Sequence, residues 1–314
     1  MADELQLAEN YLNEGLTCLK NNQAEDGLEN LRQAHNMFFT NEAYPQLIKT
    51  QHYIALAYGL LQKDSDMTSS LIKGLRYCDN FGINGARHLF FNSICDRYLS
   101  LGDYDNAINY GLLAVQDIEE FGDQFDNDTA LMGVAYLNLA YAYLKAHDFS
   151  KAQTNIDKSM EIYHSADIHY HDYTCSCMTA TIHHMQGDDD YVMANLDTLM
   201  NFFRNVNVTV EDYIQDIQIL VELLCDMGFY DKALFVAQSL QNSSISVFDS
   251  LAGLEIIKLL MSIYQKNGDR DSYIACCENY VHTDKKIKES ERQRKLSDMD
   301  TTIALMLAGL TDLI

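Results

Sequence analysis

Proline occurs once in the 314 residues, at Pro45, tryptophan is missing, and glycine appears only 15 times. A β-rich chain of this length needs turn residues at short intervals, and proline is the strongest breaker of helices, so their scarcity excludes a sandwich or barrel and leaves room for uninterrupted helix. Positive charge is scarce too: 22 Lys and Arg face 46 Asp and Glu, a formal charge of −24. Such a chain repels a phosphate backbone or an anionic bilayer surface at long range, so nucleic acid and membrane drop out as partners. No apolar run reaches the roughly 18 residues that span a bilayer. The opening MADELQLAEN has no basic segment followed by an apolar one, and the expectation is a cytoplasmic protein.

Catalytic signatures are missing as well. The chain has no Gly-rich phosphate loop, no nucleophile elbow and no paired-His helix motif, and its acids scatter as on solvated helix faces. A non-enzymatic protein without a cofactor is expected. Eight cysteines, at positions 18, 78, 95, 175, 177, 225, 276 and 277, mostly fall within apolar helical patterns, where a thiol serves as a small core residue and not as half of a disulfide framework. With 47% apolar residues the chain has enough to bury a continuous core.

What is present is a repeat. "YLSLGDYDNAINYGLLAVQDI" reads as a helix, a tight Leu-Gly-Asp-Tyr turn and a second helix. "YLKAHDFSKAQTNIDKSMEIY" places Phe149 and Ala152 as Tyr104 and Ala107 stand, and "LCDMGFYDKALFVAQSL" does the same with Tyr230 and Ala233. In weaker copies the small position falls to Gly27, Ser69 and Ala194, and in the last to the bulky Tyr273. Upstream, Tyr11 and Gly15, Tyr53 and Ala57, Tyr136 and Ala140, and Ile217 and Val221 pair a large residue with a small or apolar one, so that two helices approach closely while the larger side chain fills the gap. Units about 40 residues apart point to stacked helical hairpins.

These residues resemble the tetratricopeptide repeat (TPR), whose pattern sets an aromatic, Leu-Gly and Tyr before Ala, an aromatic, Ala and Pro. The resemblance runs to about residue 283 and is closest in the third, fourth and sixth units; the family's Trp and terminal prolines are missing. The longer period is similar to that of bacterial sensor and peptide-receptor members, whose helices are a turn longer. The fold expected is all-α, a right-handed superhelical solenoid of about seven hairpins over residues 1–283, with a linker or coiled-coil helix over 284–314.

A solenoid exposes a concave surface built from the first helix of each hairpin. In register, that surface carries Tyr58, Asn92, Asp96, Leu137, Tyr141, Thr181, Gln218 and Glu222. Aromatic platforms beside carboxamides and carboxylates suit an extended peptide or protein segment, whose backbone needs donors and acceptors and whose basic side chains need acid. The alternative is a scaffold whose face is merely solvated.

The segment 163–190 packs five histidines, two cysteines and a run of aspartates into one repeat. His169-x-His171 and Cys175-x-Cys177 lack the spacing of closed zinc sites, because alternate residues on a helix point apart, and His183 falls where Tyr98 and Tyr143 stand in neighbouring units. The segment therefore reads as structural, with His183 packed in the core and no metal bound. The acidic run 119–133 lacks the sixth-position Gly and twelfth-position Glu of a calcium loop.

From Leu296 the apolar positions Leu296, Met299, Ile303, Met306, Leu310 and Leu313 step three and four residues apart, the alternation that keeps one stripe facing a partner helix. A parallel homodimer seam is expected; the rival is a helix folded back to cap the last repeat. "AGLTDLI" is similar to the junction before a GGDEF diguanylate cyclase domain, through Thr311, Asp312 and Ile314. The resemblance implies a regulatory region whose output chemistry lies outside this sequence.

Overall fold

The computed structural model describes residues 2–21, 23–125, 129–169, 171–205, 210–241 and 251–311; side chains at 2, 123, 202–205, 210–216, 240–241, 251–252, 290–291 and beyond 293 lie outside the description. Among the described residues there are fourteen α-helices, one short 3-10 turn (Gly122–Gln124) and no strand. They alternate as antiparallel pairs: α1 (Ala2–Lys20) with α2 (Ala24–Thr40), α3 (Tyr44–Leu60) with α4 (Asp64–Phe81), α5 (Arg87–Ser100) with α6 (Tyr104–Phe121), and α7 (Thr129–Lys145) with α8 (Phe149–Ser165). Then follow α9 (Asp172–Met185), α10 (Asp189–Asn205), α11 (Val210–Asp226), α12 (Tyr230–Gln241), α13 (Leu251–Asn267) and α14 (Arg270–Thr311). The chain divides into two compact units, Met1–Cys175 and Ser176–Ile314.

The hairpin turn is one device used repeatedly. The first helix ends when the residue after its cap turns left-handed, at Gln62, Gly102, His147, Gly187, Gly228 and Gly268. The next amide then donates back to a carbonyl one turn earlier: Lys63 to Tyr58 (2.9 Å), Asp103 to Tyr98 (3.0 Å), Asp148 to Tyr143 (2.9 Å), Asp188 to His183 (2.8 Å), Phe229 to Leu224 (2.7 Å) and Asp269 to Tyr264 (3.0 Å). This closes the orphan carbonyls of one helix end. Four of these donors are aspartates whose carboxylates accept from the amide three residues on, at Asn106, Lys151, Tyr191 and Ser272, and so cap the second helix.

In the first unit the second helices bury one stripe, as α2 does with Leu28, Leu31, Ala34 and Phe38. The first helices are packed on more than one side: α7 touches α8, α6 and α5, and buries nine of its 17 residues. Close approach is set by missing side chains. A methyl on Gly27 would stand 2.8 Å from Leu19, one on Gly74 would enter the Phe90 ring at 2.0 Å, and one on Gly133 would meet Tyr163 at 2.4 Å.

Two of the expected small positions are corrected. Ser69 and Ala194 are exposed. From α2 to α12 the fourth residue of each second helix is the buried one, and in α4 and α10 it is Met67 and Val192. In α4 the bulk is absorbed across the hairpin, where Gly59 of α3 leaves room for the Met67 sulfur, 3.2 Å from where a Cβ would sit.

In the second unit α11 contributes Ile217, Leu220, Leu223 and Leu224, α12 Ala233, Val236 and Ala237, and α13 Ile256, Ile257, Leu260 and Ile263. Lys266 joins α13 to the end of α11 through Asp226 (2.6 Å). The boundary expected at 283/284 falls inside α14, a single helix of 42 residues; Thr283 is buried, and Lys285, Lys286, Lys288 and Glu289 beyond it are exposed. Leu296, Met299, Ile303, Met306 and Leu310 lie on this helix with their side chains outside the description, and Leu313 lies outside it altogether. No described helix is long and apolar enough to cross a membrane.

Candidate functional site

In the first unit the expected ligand residues lie on first helices: Tyr58 on α3, Asn92 and Asp96 on α5, Leu137 and Tyr141 on α7. The face is physically continuous between α5 and α7, because Asn138 Nδ2 donates to Asn92 Oδ1 (3.0 Å). Asn138 is absent from the sequence expectation, since its value lies in a bond to the neighbouring hairpin that no local pattern encodes. Arg32 Nη2 donates to the Tyr58 hydroxyl (2.8 Å), and the Lys145 ammonium sits 5.3 Å from the Tyr141 ring centre. Both aromatic platforms therefore already carry a cation.

Leu137 is buried and belongs to the core, leaving its neighbours Asn138 and Tyr141 half-exposed on α7. Asp96 is exposed on α5, and desolvation raises its carboxyl above the ordinary range, against the lowering by Arg97. Arg97 in turn is held by Asp64 of α4 (2.5 Å).

Beneath the face runs a buried polar seam. The Ser93 hydroxyl donates to the Leu89 carbonyl (3.1 Å), so the His52 Nε2–H donates to Ser93 Oγ (3.0 Å), which fixes the tautomer. Gln51 donates to the Ser70 carbonyl (3.2 Å) and the His88 amide to Asp117 (2.9 Å). Burial, with His88 adding a smaller push, lowers His52 to about 3. These contacts lock α3, α4, α5 and α6 in register behind Asn92 and Asp96.

In the second unit, the Thr181 hydroxyl donates to the Cys177 carbonyl (2.9 Å), and Gln218 donates to Glu222 (3.3 Å) along α11. His183 departs from expectation: it is half-exposed, stacked on Tyr191 at 3.7 Å, and donates to Asp188 (2.9 Å). His171 stacks on Tyr163 at 4.5 Å and burial lowers it to about 4, while Cys175 and Cys177 are buried. Burial holds the two thiols in the core of α9.

No protein-family model matches the sequence, and no curated protein matches it. Solved structures do. A Rap protein complexed with the competence and sporulation factor shares 11% identity at a TM-score of 0.60, over 89% of this chain and 75% of that one. A tetratricopeptide repeat protein from Parabacteroides merdae shares 13% at 0.54, over 90% and 98%. The apo quorum sensor NprR from B. thuringiensis shares 13% at 0.50, over 89% and 79%. The fold is that of TPR-like helical solenoids.

Proposed function

We propose that this chain is a non-enzymatic peptide- or protein-binding module, and that the face built by α3, α5 and α7 is where an extended segment lies. The observation that carries this is the cross-helix Asn92–Asn138 pair, which joins α5 to α7 beside the exposed Asp96, with Tyr58 and Tyr141 on the flanking first helices. Carboxamides offer the donor and acceptor that an extended backbone requires, the tyrosines offer flat apolar area, and a carboxylate held short of full hydration selects a basic side chain. A fold shared with a Rap protein complexed with the competence and sporulation factor and with a quorum sensor is compatible with that use.

In its finer form the proposal makes the module the regulatory region of a larger signalling protein, a diguanylate cyclase of the GGDEF type, with α14 as the coupling element. The alternative is a free-standing scaffold whose face is merely solvated.

The test is a screen of basic, extended peptides by fluorescence anisotropy, followed by Asp96→Asn, Asn138→Ala and Tyr141→Ala. Each should weaken binding about tenfold or more, equivalent to roughly 1.4 kcal/mol, without loss of helical signal. A peptide bound equally by all three variants would place the site elsewhere.

A further inference from the structure

Outside the ligand face, the break between α8 and α9 gathers three potential metal ligands. His164 stands in the last turn of α8, Asp172 in the first turn of α9, and His169 in the connection. Asp172 lies between the imidazoles: His164 Nε2 donates to its Oδ1 at 2.8 Å and His169 Nδ1 to its Oδ2 at 3.1 Å. One ligand atom from each residue lies within 4.8 Å of the others. The two rings are 5.0 Å apart at their centres.

We infer that His164, His169 and Asp172 form a site for zinc or a similar divalent transition metal. Two imidazole nitrogens and one carboxylate are a borderline-soft donor set that suits zinc and disfavours calcium or magnesium, which take oxygen. Ligands about 2.0–2.2 Å from a tetrahedral zinc stand roughly 3.3–3.5 Å from one another. The two hydrogen-bonded pairs need to open by a few tenths of an ångström, and the imidazoles need to draw together. The two imidazoles are exposed and Asp172 is half-exposed, at or between helix ends, so small torsional changes suffice.

A second observation points the same way. The outward nitrogen of His169, Nε2, is held by Asp167 Oδ1 at 3.3 Å. A carboxylate on the far nitrogen is the partner that metal-bound histidines usually have, because it fixes the ring and raises its basicity. Zinc at Nδ1 of His169 sends any proton there to solvent and leaves an Nε2–H directed at Asp167. His164 keeps one proton by moving it from Nε2 to Nδ1. With three protein ligands the fourth position falls to water. The metal clips the end of α8 to the start of α9.

Sequence spacing hides this grouping. The pairs that fail as zinc ligands, His169 with His171 and Cys175 with Cys177, are not the ones involved. The cluster exists because the helix breaks at Ala166, with Asp167 left-handed, and turns His169 back toward Asp172.

The test is calorimetric titration of the metal-free full chain with zinc chloride, alongside His164→Ala, His169→Ala and Asp172→Asn. The control is His183→Ala, which removes an imidazole paired with Asp188 instead. One zinc per chain is expected. Loss of an outer-shell partner alone costs about 10–100-fold in affinity, so each of the three variants should lose at least about tenfold, and the control should lose less than that. On the unsubstituted protein, cobalt(II) should shift the imidazole signals of His164 and His169 and spare those of His35 and His52. No stoichiometric zinc uptake, or uptake kept within tenfold by the three variants, overturns the assignment.

Discussion

Burial divides the histidines into two kinds with opposite consequences. His35, lowered to about 4 by burial and then by Lys73, and His52, lowered to about 3, are neutral in the folded chain and become protonated when it unfolds in mild acid. Below the unfolded value of 6.5 the unfolded state takes up more protons than the folded one, so stability is full above that pH and falls as pH drops toward the folded values. Each group contributes a slope of up to about 1.4 kcal/mol per pH unit in that window. We expect the melting temperature to decline from about pH 6.5 downward, and His52→Gln, compared with wild type across the same series, to decline less steeply. Parallel curves would remove His52 from the acid response. His169 behaves oppositely: Asp172 and then Asp167 raise it, so its favourable contacts are present below 6.5 and fade as pH climbs through the elevated value.

At the scale of the helical element, one turn geometry is built from different residues. Gly102, Gly187, Gly228 and Gly268 adopt the left-handed conformation without steric cost, whereas Gln62 and His147 hold it with a Cβ. Nothing lies within 4 Å of a methyl placed on Gly102, so Gly102→Ala isolates the backbone term. It should destabilise the first unit by about 1–2 kcal/mol, and His147→Gly should be neutral or stabilising by up to about 1 kcal/mol. Urea denaturation of both variants checks the pair; an unaffected Gly102→Ala would mean that the turn does not need its left-handed residue.

The same turns explain what could be read in the sequence. The hairpins were legible because "LGDY" and its relatives carry both the left-handed residue and the aspartate cap, and because Ala107, Ala152 and Ala233 sit at the closest helix approach. The register slipped at Ser69 and Ala194, where the bulk of Met67 and Val192 disguises the buried position and, for Met67, the small residue has moved to the partner helix as Gly59. The ligand face was legible only as a set of helix positions. Asn138, the core placement of Leu137 and the His164–Asp172 contact depend on neighbouring elements, which periodicity within one helix does not contain.

At the scale of the whole molecule, the formal charge of −24 favours basic partners and speeds their encounter, an effect that weakens as salt rises. It also opposes self-association, so a dimer needs an apolar seam. The helix α14 is 42 residues long against 17 for its hairpin partner α13, and at about 1.5 Å per residue α13 can flank only its first 25 Å or so. Leu296, Met299, Ile303, Met306 and Leu310 fall in the remainder, and the sequence continues the stepping to Leu313. We propose that two parallel copies interlock along it. Two heptads are short, and Gly309 costs the helix about 1 kcal/mol relative to Ala, so the isolated segment should pair marginally and the full chain is the object to test. If the stripe is a seam, Ile303→Asp shifts the chain from dimer to monomer in sedimentation at tens of micromolar while its melting temperature holds. If instead it caps the last repeat around Leu260 and Tyr264, wild type is already monomeric and the same substitution lowers the melting temperature, which would end the dimer proposal and leave ligand binding to a single copy.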